Sequence, residues 1–188
     1  MKAKYREKLL VHKVQENKDN EAFGELYDLY IEKIYRFVFI KLSNKEEAED
    51  ITSDVFLKTW NYLIADKKQL EIKSFSGLIY RIARNTLVDF FRHKSVRREY
   101  GIETLEDIGE DSELIEKIDV KHEVDNIMHV LKKMKREYQE IILLRYIEEL
   151  SIAEIAEILE KRKTNVRVTL HRALKILKEL LSKEASRL

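Results

Sequence analysis

The sequence predicts an all-α chain: two small helical bundles joined by an acidic linker, the C-terminal one containing a helix-turn-helix. Three observations carry that prediction. Turn residues are scarce, since the 188 residues include no proline and only four glycines, too few for the tight turns of a sandwich or barrel. Apolar residues recur at helical spacing among Leu, Ile, Glu and Lys, which favour helices. Charge is segregated along a chain whose net charge is only +1. Residues 1–98 hold 20 Lys/Arg against 15 Asp/Glu (+5), residues 99–125 hold 2 against 11 (−9), and residues 126–188 hold 14 against 9 (+5). These spans define an N-terminal helical domain (1–98), an acidic flexible linker (99–125) and a helix-turn-helix domain (126–188).

Asn20 is placed to cap a helix running to Leu42, with Phe23, Leu26, Tyr27, Tyr30, Ile31, Ile34 and Val38 at helical spacing. Asn44 followed by Glu47 has a capping arrangement and starts a second helix to about Ile64, with Ala48, Ile51, Val55, Trp60 and Leu63 on one side. Lys67 to Lys73 is polar and reads as a loop, and a third helix covers Phe75 to His93. Eleven acids and the glycines at 101 and 109 mark 99–125 as a solvated linker with a short helix at most near its end. Helical periodicity returns at Val124, Ile127, Met128, Leu131 and Met134, followed by a helix from about Tyr138 to Ile147.

Ser151 with Glu154 forms a capping box opening a short helix to about Glu160. A last helix starts near Thr164 and runs towards Lys183. In it Val166, Leu170, Ala173, Leu177 and Leu181 share one face. Ala156 is small where the two helices must cross. Thr164, Val168, His171 and Lys175 point the other way, flanked by Arg167 and Arg172. Hydroxyl, methyl, imidazole and cationic groups at a helix start suit base edges and phosphates of a major groove. Periodicity alone fits an ordinary helical hairpin equally well.

Several function classes are disfavoured. There is no cysteine, hence no disulfide framework and no thiolate metal site. The five histidines (His12, His93, His122, His129, His171) form no ligand motif, and no glycine-rich phosphate loop is present. An enzyme is therefore not expected, nor a metal or other cofactor. No apolar run approaches the length of a signal or a membrane span, so a cytoplasmic protein without membrane insertion is expected.

Three stretches, in order, resemble the extracytoplasmic-function (ECF) sigma factors of bacterial RNA polymerase. They are Glu47-Ala48-Glu49-Asp50-Ile51 through Trp60; Phe75-Ser76-Gly77-Leu78 through Asn85, Asp89 and Arg92; and Glu140 through Tyr146, Leu150 through Leu159, then Leu170-His171-Arg172-Ala173. The resemblance implies a sigma factor that binds core RNA polymerase and directs promoter recognition, melting and initiation. It implies that Glu47, Asp50 and Asp54 dock on clamp helices of the polymerase, where an acidic stripe suits a basic groove. It implies that Arg81, Arg84, Asn85 and Arg92 hold the melted strand of the minus-ten element, with residues 64–74 rimming a pocket for a flipped base. Thr164, Arg167, Val168, His171, Arg172 and Lys175 would meet the minus-thirty-five element. Family members are commonly held by an anti-sigma protein, so such a partner is a further expectation from the resemblance.

The chain departs from the family pattern in places. Leu78 stands where Trp is usual, Ser53 where Gln is usual, and Met134-Lys135 where a Leu-Pro pair is usual. The turn before the last helix carries Glu160, Lys161 and Arg162 where the family has Gly, an apolar residue and a Ser cap. Such a turn needs a less favourable backbone, and the cap passes to Thr164 or is lost. Two other readings remain: a helix-turn-helix regulator that binds DNA without joining polymerase, and a protein–protein adaptor whose basic faces are merely solvated.

Overall fold

The structure, a computed structural model, describes residues 2–65, 72, 74–99, 130, 131 and 133–185, with the backbone alone for 2–4, 95–99, 184 and 185. The acidic segment beyond Glu99, the 67–73 loop apart from Ile72, and the periodic stretch from Val124 to His129 lie outside the described residues. No strand occurs among the described residues, and they fall into two compact units. One holds α1 (Lys2–Asn17), α2 (Asn20–Leu42), α3 (Lys45–Ile64) and α4 (Phe75–Glu99). The other holds α5 (Arg136–Ile142), a π-helical turn (Leu143–Ile147), α6 (Ile152–Ile158) and α7 (Lys163–Ala185).

Helix α1 was not expected. It carries few apolar residues, yet Leu10, Val11 and Val14 at i, i+1 and i+4 are all buried, the stripe by which a short amphipathic helix packs. It is tied to α2 by Arg6 with Glu25 and by the Tyr30 hydroxyl donating to Glu7 at 2.5 Å. Lys18, at φ 52°, ends it in a left-handed residue. Asp19, not Asn20, then caps α2 by accepting from the Ala22 N–H at 3.0 Å.

The link between α2 and α3 is two residues long. Ser43 turns left-handed (φ 54°) and gives its N–H to Phe39 O, and Asn44 caps α3 by accepting from the Glu47 N–H at 2.9 Å, as expected. A connection this short makes the two helices antiparallel neighbours. Ser74 begins α4, its hydroxyl accepting from the Gly77 N–H at 3.2 Å. Fully buried Phe37, Tyr80, Phe75, Leu26, Ile34 and Ile79 form the centre of this unit. Phe37 and Tyr80 meet edge-on at 5.3 Å, and Tyr30 and Phe75 at 5.1 Å, a geometry that adds about 0.5–1.5 kcal/mol per pair beyond area burial.

In the second unit α5 starts at Arg136, two residues earlier than the apolar pattern suggests, and ends at Ile142. The expected final turn to Ile147 is widened into a π turn, marked by the Glu148 N–H bonding Leu143 O at 3.0 Å. Leu143 and Leu144 are both buried there, while Tyr146 and Ile147 face solvent. Glu149, at φ 53°, and the Arg145 guanidinium donating to Leu150 O at 2.8 Å close the corner. The Ser151–Glu154 capping box is present, with Glu154 Oε2 accepting from the Ser151 N–H at 2.9 Å. Ile141, Leu144, Ile155, Ile158, Val166 and Ala173 are fully buried and form an aliphatic core.

Candidate functional site

Three surfaces carry the residues singled out from the sequence. On α3 they do not form one uniform acidic stripe. Glu47 is half-buried and turned to α4, where Lys94 Nζ lies 2.6 Å from its Oε1 and also 5.5 Å over the Phe90 ring. Asp54 is paired with Lys58 at 2.7 Å, and Lys58 also donates to Thr86 of α4 at 3.3 Å. Asp50 is exposed, as is Glu46 one turn earlier. One turn beyond Asp54, on the same outward side, stands Leu57, 60% exposed. It borders a shallow groove lined by Asn20, Phe23, Gly24 and Tyr27 of α2 and by Phe56 and Trp60 of α3. The sequence reading took the acids and missed this apolar neighbour. Its signal was Leu57 itself, an apolar residue out of phase with the core stripe.

On α4 the structure brings Arg81, Asn85 and Arg92 to one side, because they lie within about 40° on a 100° helical wheel. Asn85 and Arg92 are exposed, while Arg81 and Arg84 are half-buried. Arg92 is paired with Asp89 at 3.2 Å, so a carboxylate lies beside its guanidinium. Val88, 52% exposed, lies on the same face and was not singled out before. The opposite face of α4, with Ile79, Ala83 and Leu87, is buried, and that burial aims the polar residues outward.

On α7 every sequence-selected residue is exposed: Thr164, Arg167, Val168, His171, Arg172 and Lys175. Val166 and Ala173 are fully buried on the other side. The helix begins at Lys163, so Thr164 is its second residue and not its cap. The first helical bond runs from the Val166 N–H to Arg162 O at 3.1 Å, which puts Arg162 at the cap position with no side-chain oxygen to offer. Lys163 and Asn165, in the first turn of the helix, are exposed as well. Asn165 offers an amide able to pair with an adenine edge. Glu160, at φ 52°, takes the left-handed conformation that glycine holds at lowest cost, a strain of about 1–3 kcal/mol for other residues.

Comparison with known proteins fits this arrangement. The model described as Sigma-70 region 2 matches residues 26–97, and Sigma-70, region 4 matches 125–177. The chain is 34% identical over 172 residues to the ECF RNA polymerase sigma factor SigW of Bacillus subtilis (strain 168), covering 87% of this chain and 90% of that protein. It is 30% identical over 172 residues to SigX of the same organism, covering 87% of each. Among solved structures, CnrH in complex with the cytosolic domain of CnrY has a similar fold (TM-score 0.70, 19% identity, 95% of this chain and 98% of that one). So does the sigma factor RpoE in complex with the anti-sigma factor NepR from Bartonella quintana (TM-score 0.66, 19% identity, 85% and 96%). A helix-turn-helix regulator outside polymerase leaves the region 2 match unexplained. With regions 2 and 4 present in order, and with sigma factors as relatives over most of its length, the chain belongs to the ECF RNA polymerase sigma factors.

Proposed function

We propose that this alternative sigma factor divides its work among three helices, acting in the cytoplasm as a non-catalytic subunit of RNA polymerase. Helix α3 docks on a basic, partly apolar surface of core polymerase through Asp50, Asp54 and exposed Leu57. Helix α4 holds the opened strand of the downstream element, Asn85 addressing a base edge and Arg81, Arg84 and Arg92 the phosphates. Helix α7 reads the upstream element in the major groove, with Arg167, Val168 and His171 towards base edges and Arg172 and Lys175 on phosphates.

The observation that carries this reading is that α4 and α7, in separate units, each turn an apolar face inward and carry cationic and amide groups on the other side. Two such faces suit two separate DNA elements. Other ECF-like folds have been solved with CnrY or NepR bound, so a masking protein partner belongs to the same reading. Run-off transcription from genomic DNA tests it: core polymerase plus this protein yields discrete new starts that core alone does not. Protection of DNA by the protein alone at nanomolar concentration, without such starts, would give the regulator reading instead.

A further inference from the structure

We infer that Glu137 and Lys161 form an ionic latch that positions the recognition helix α7 for upstream DNA. The inference rests on the reading of α7 given above and deepens it. A short turn joins the end of α6 at Ile158 to the start of α7 at Lys163. There the Glu160 N–H bonds Glu157 O at 3.3 Å and the Lys161 N–H bonds Ala156 O at 2.9 Å. With Glu160 left-handed at φ 52°, these are the two bonds of a Schellman ending. In such an ending the residue at the Lys161 position commonly folds an apolar side chain back onto the helix, which fixes the direction of the departing chain. Here that side chain is an ammonium.

Lys161 instead reaches Glu137, in the first turn of α5, and bonds its Oε1. The turn that aims α7 is thereby fastened to a third helix. Arg162 follows at the cap position and supplies no capping oxygen, so the start of α7 lacks that usual local stop as well. Two local devices that hold such a turn are replaced by one contact between residues 24 apart in sequence. Both partners are partly exposed, so the latch weakens as salt rises. Glu137 and Lys161 are positioning residues: they act on the promoter through the angle of α7 and the register of Arg167, Val168 and His171.

The competing role for Lys161 is a direct phosphate contact, and the sign of one substitution separates the two. If Lys161 serves phosphate, removing Glu137 frees it and strengthens DNA binding. If it serves the latch, removing Glu137 weakens recognition. The experiment uses the full chain with core polymerase on two templates, one with its upstream element intact and one with it scrambled. The readout is the ratio of initiation on the two. Glu137→Gln should lower that ratio about two- to fivefold, the range for a partly exposed pair. The loss should shrink at higher salt, with the melting temperature nearly unchanged. In a Lys161→Met background, where an apolar side chain can fold back on α6, Glu137→Gln should have no further effect. A raised or unchanged ratio for Glu137→Gln overturns the latch. So does an equal loss on both templates accompanied by a lower melting temperature. A wild-type protein indifferent to scrambling would instead remove α7 as the upstream reader, and the latch with it.

Discussion

In the α1–α4 unit the buried residues come from four helices and include large rings, Phe37, Phe75 and Tyr80 among them, whereas the α5–α7 unit buries only aliphatic side chains at its centre, Ile141, Leu144, Ile155 and Ile158. The corners differ in the same direction. The first unit turns through left-handed Lys18 and Ser43, each followed by an ordinary side-chain cap, at Asp19 and Asn44, with a third cap at Ser74. The second depends on a π turn, a capping box, two left-handed glutamates and a contact from Lys161 to Glu137. A large core fixes helix positions by packing, so its surface is free to vary. A small core fixes them through its turns, so a change in a turn residue becomes a change in how DNA is met.

The largest expected effect tests that contrast directly. Phe37→Ala removes a fully buried ring and should cost about 3–5 kcal/mol. Hydrogen exchange should show the loss across α1–α4, with α5–α7 protection unchanged. Ile155→Ala should do the converse, at about 2–5 kcal/mol. Collapse of protection in both units from either substitution would show that they do not fold separately.

Next comes recognition. A base-edge contact is worth about 1–3 kcal/mol of discrimination. Arg167→Ala and His171→Ala should therefore change which upstream sequences are selected from a randomised element, while Lys175→Ala lowers binding alike for all of them. On the other unit, Asn85→Ala should impair opening of a duplex promoter more than use of a pre-melted one. Normal permanganate reactivity in the Asn85 variant, or unchanged upstream selection in both α7 variants, would take those residues out of their assigned contacts.

Smaller again is Glu160→Gly. It relieves a left-handed residue and should stabilise the α5–α7 unit by about 1 kcal/mol, measured as a higher denaturation midpoint for that unit. A drop in stability would mean that the Glu160 side chain contributes more than its backbone costs.

Much of this was legible in the sequence, because it depends on near neighbours. The periods of α2, α3, α4 and α7, the caps at Asn44 and Ser151, and the exposed set from Thr164 to Lys175 follow from spacings of three, four and seven residues. Helix α1 was not legible, since its apolar residues are few among lysines and glutamates, and only the packing of α2 shows which of them are covered. The π turn was hidden because Leu143 to Ile147 is too apolar for any period to show a widened turn. Glu47 looked like a member of a surface stripe because its partner, Lys94, is 47 residues away. Lys161 looked like a defect in a turn because Glu137 could be placed beside it only by the fold.

The smallest expected effect concerns a flaw in the better-packed unit. Tyr35 stacks on Phe39 at 5.9 Å, yet its hydroxyl is buried with no hydrogen-bond partner among the described residues. Burial, and secondly the charge of Glu49, raise its pKa above the ordinary tyrosine value. Ring packing is retained in Tyr35→Phe and the unsatisfied hydroxyl is removed. At pH 7 the variant should therefore be as stable as wild type or better by a few tenths of a kcal/mol. The pH dependence has a definite sign. The unfolded tyrosine releases its proton near pH 10, and the folded one only at higher pH. Wild type therefore holds its full stability below about pH 10 and loses part of it as pH rises from there towards the folded pKa. Phenylalanine has no proton to release, so the advantage of the variant should widen between pH 7 and pH 10.5 in paired denaturant titrations. A variant less stable than wild type at pH 7 would mean that the hydroxyl is bonded in solution and contributes to the stability of this unit.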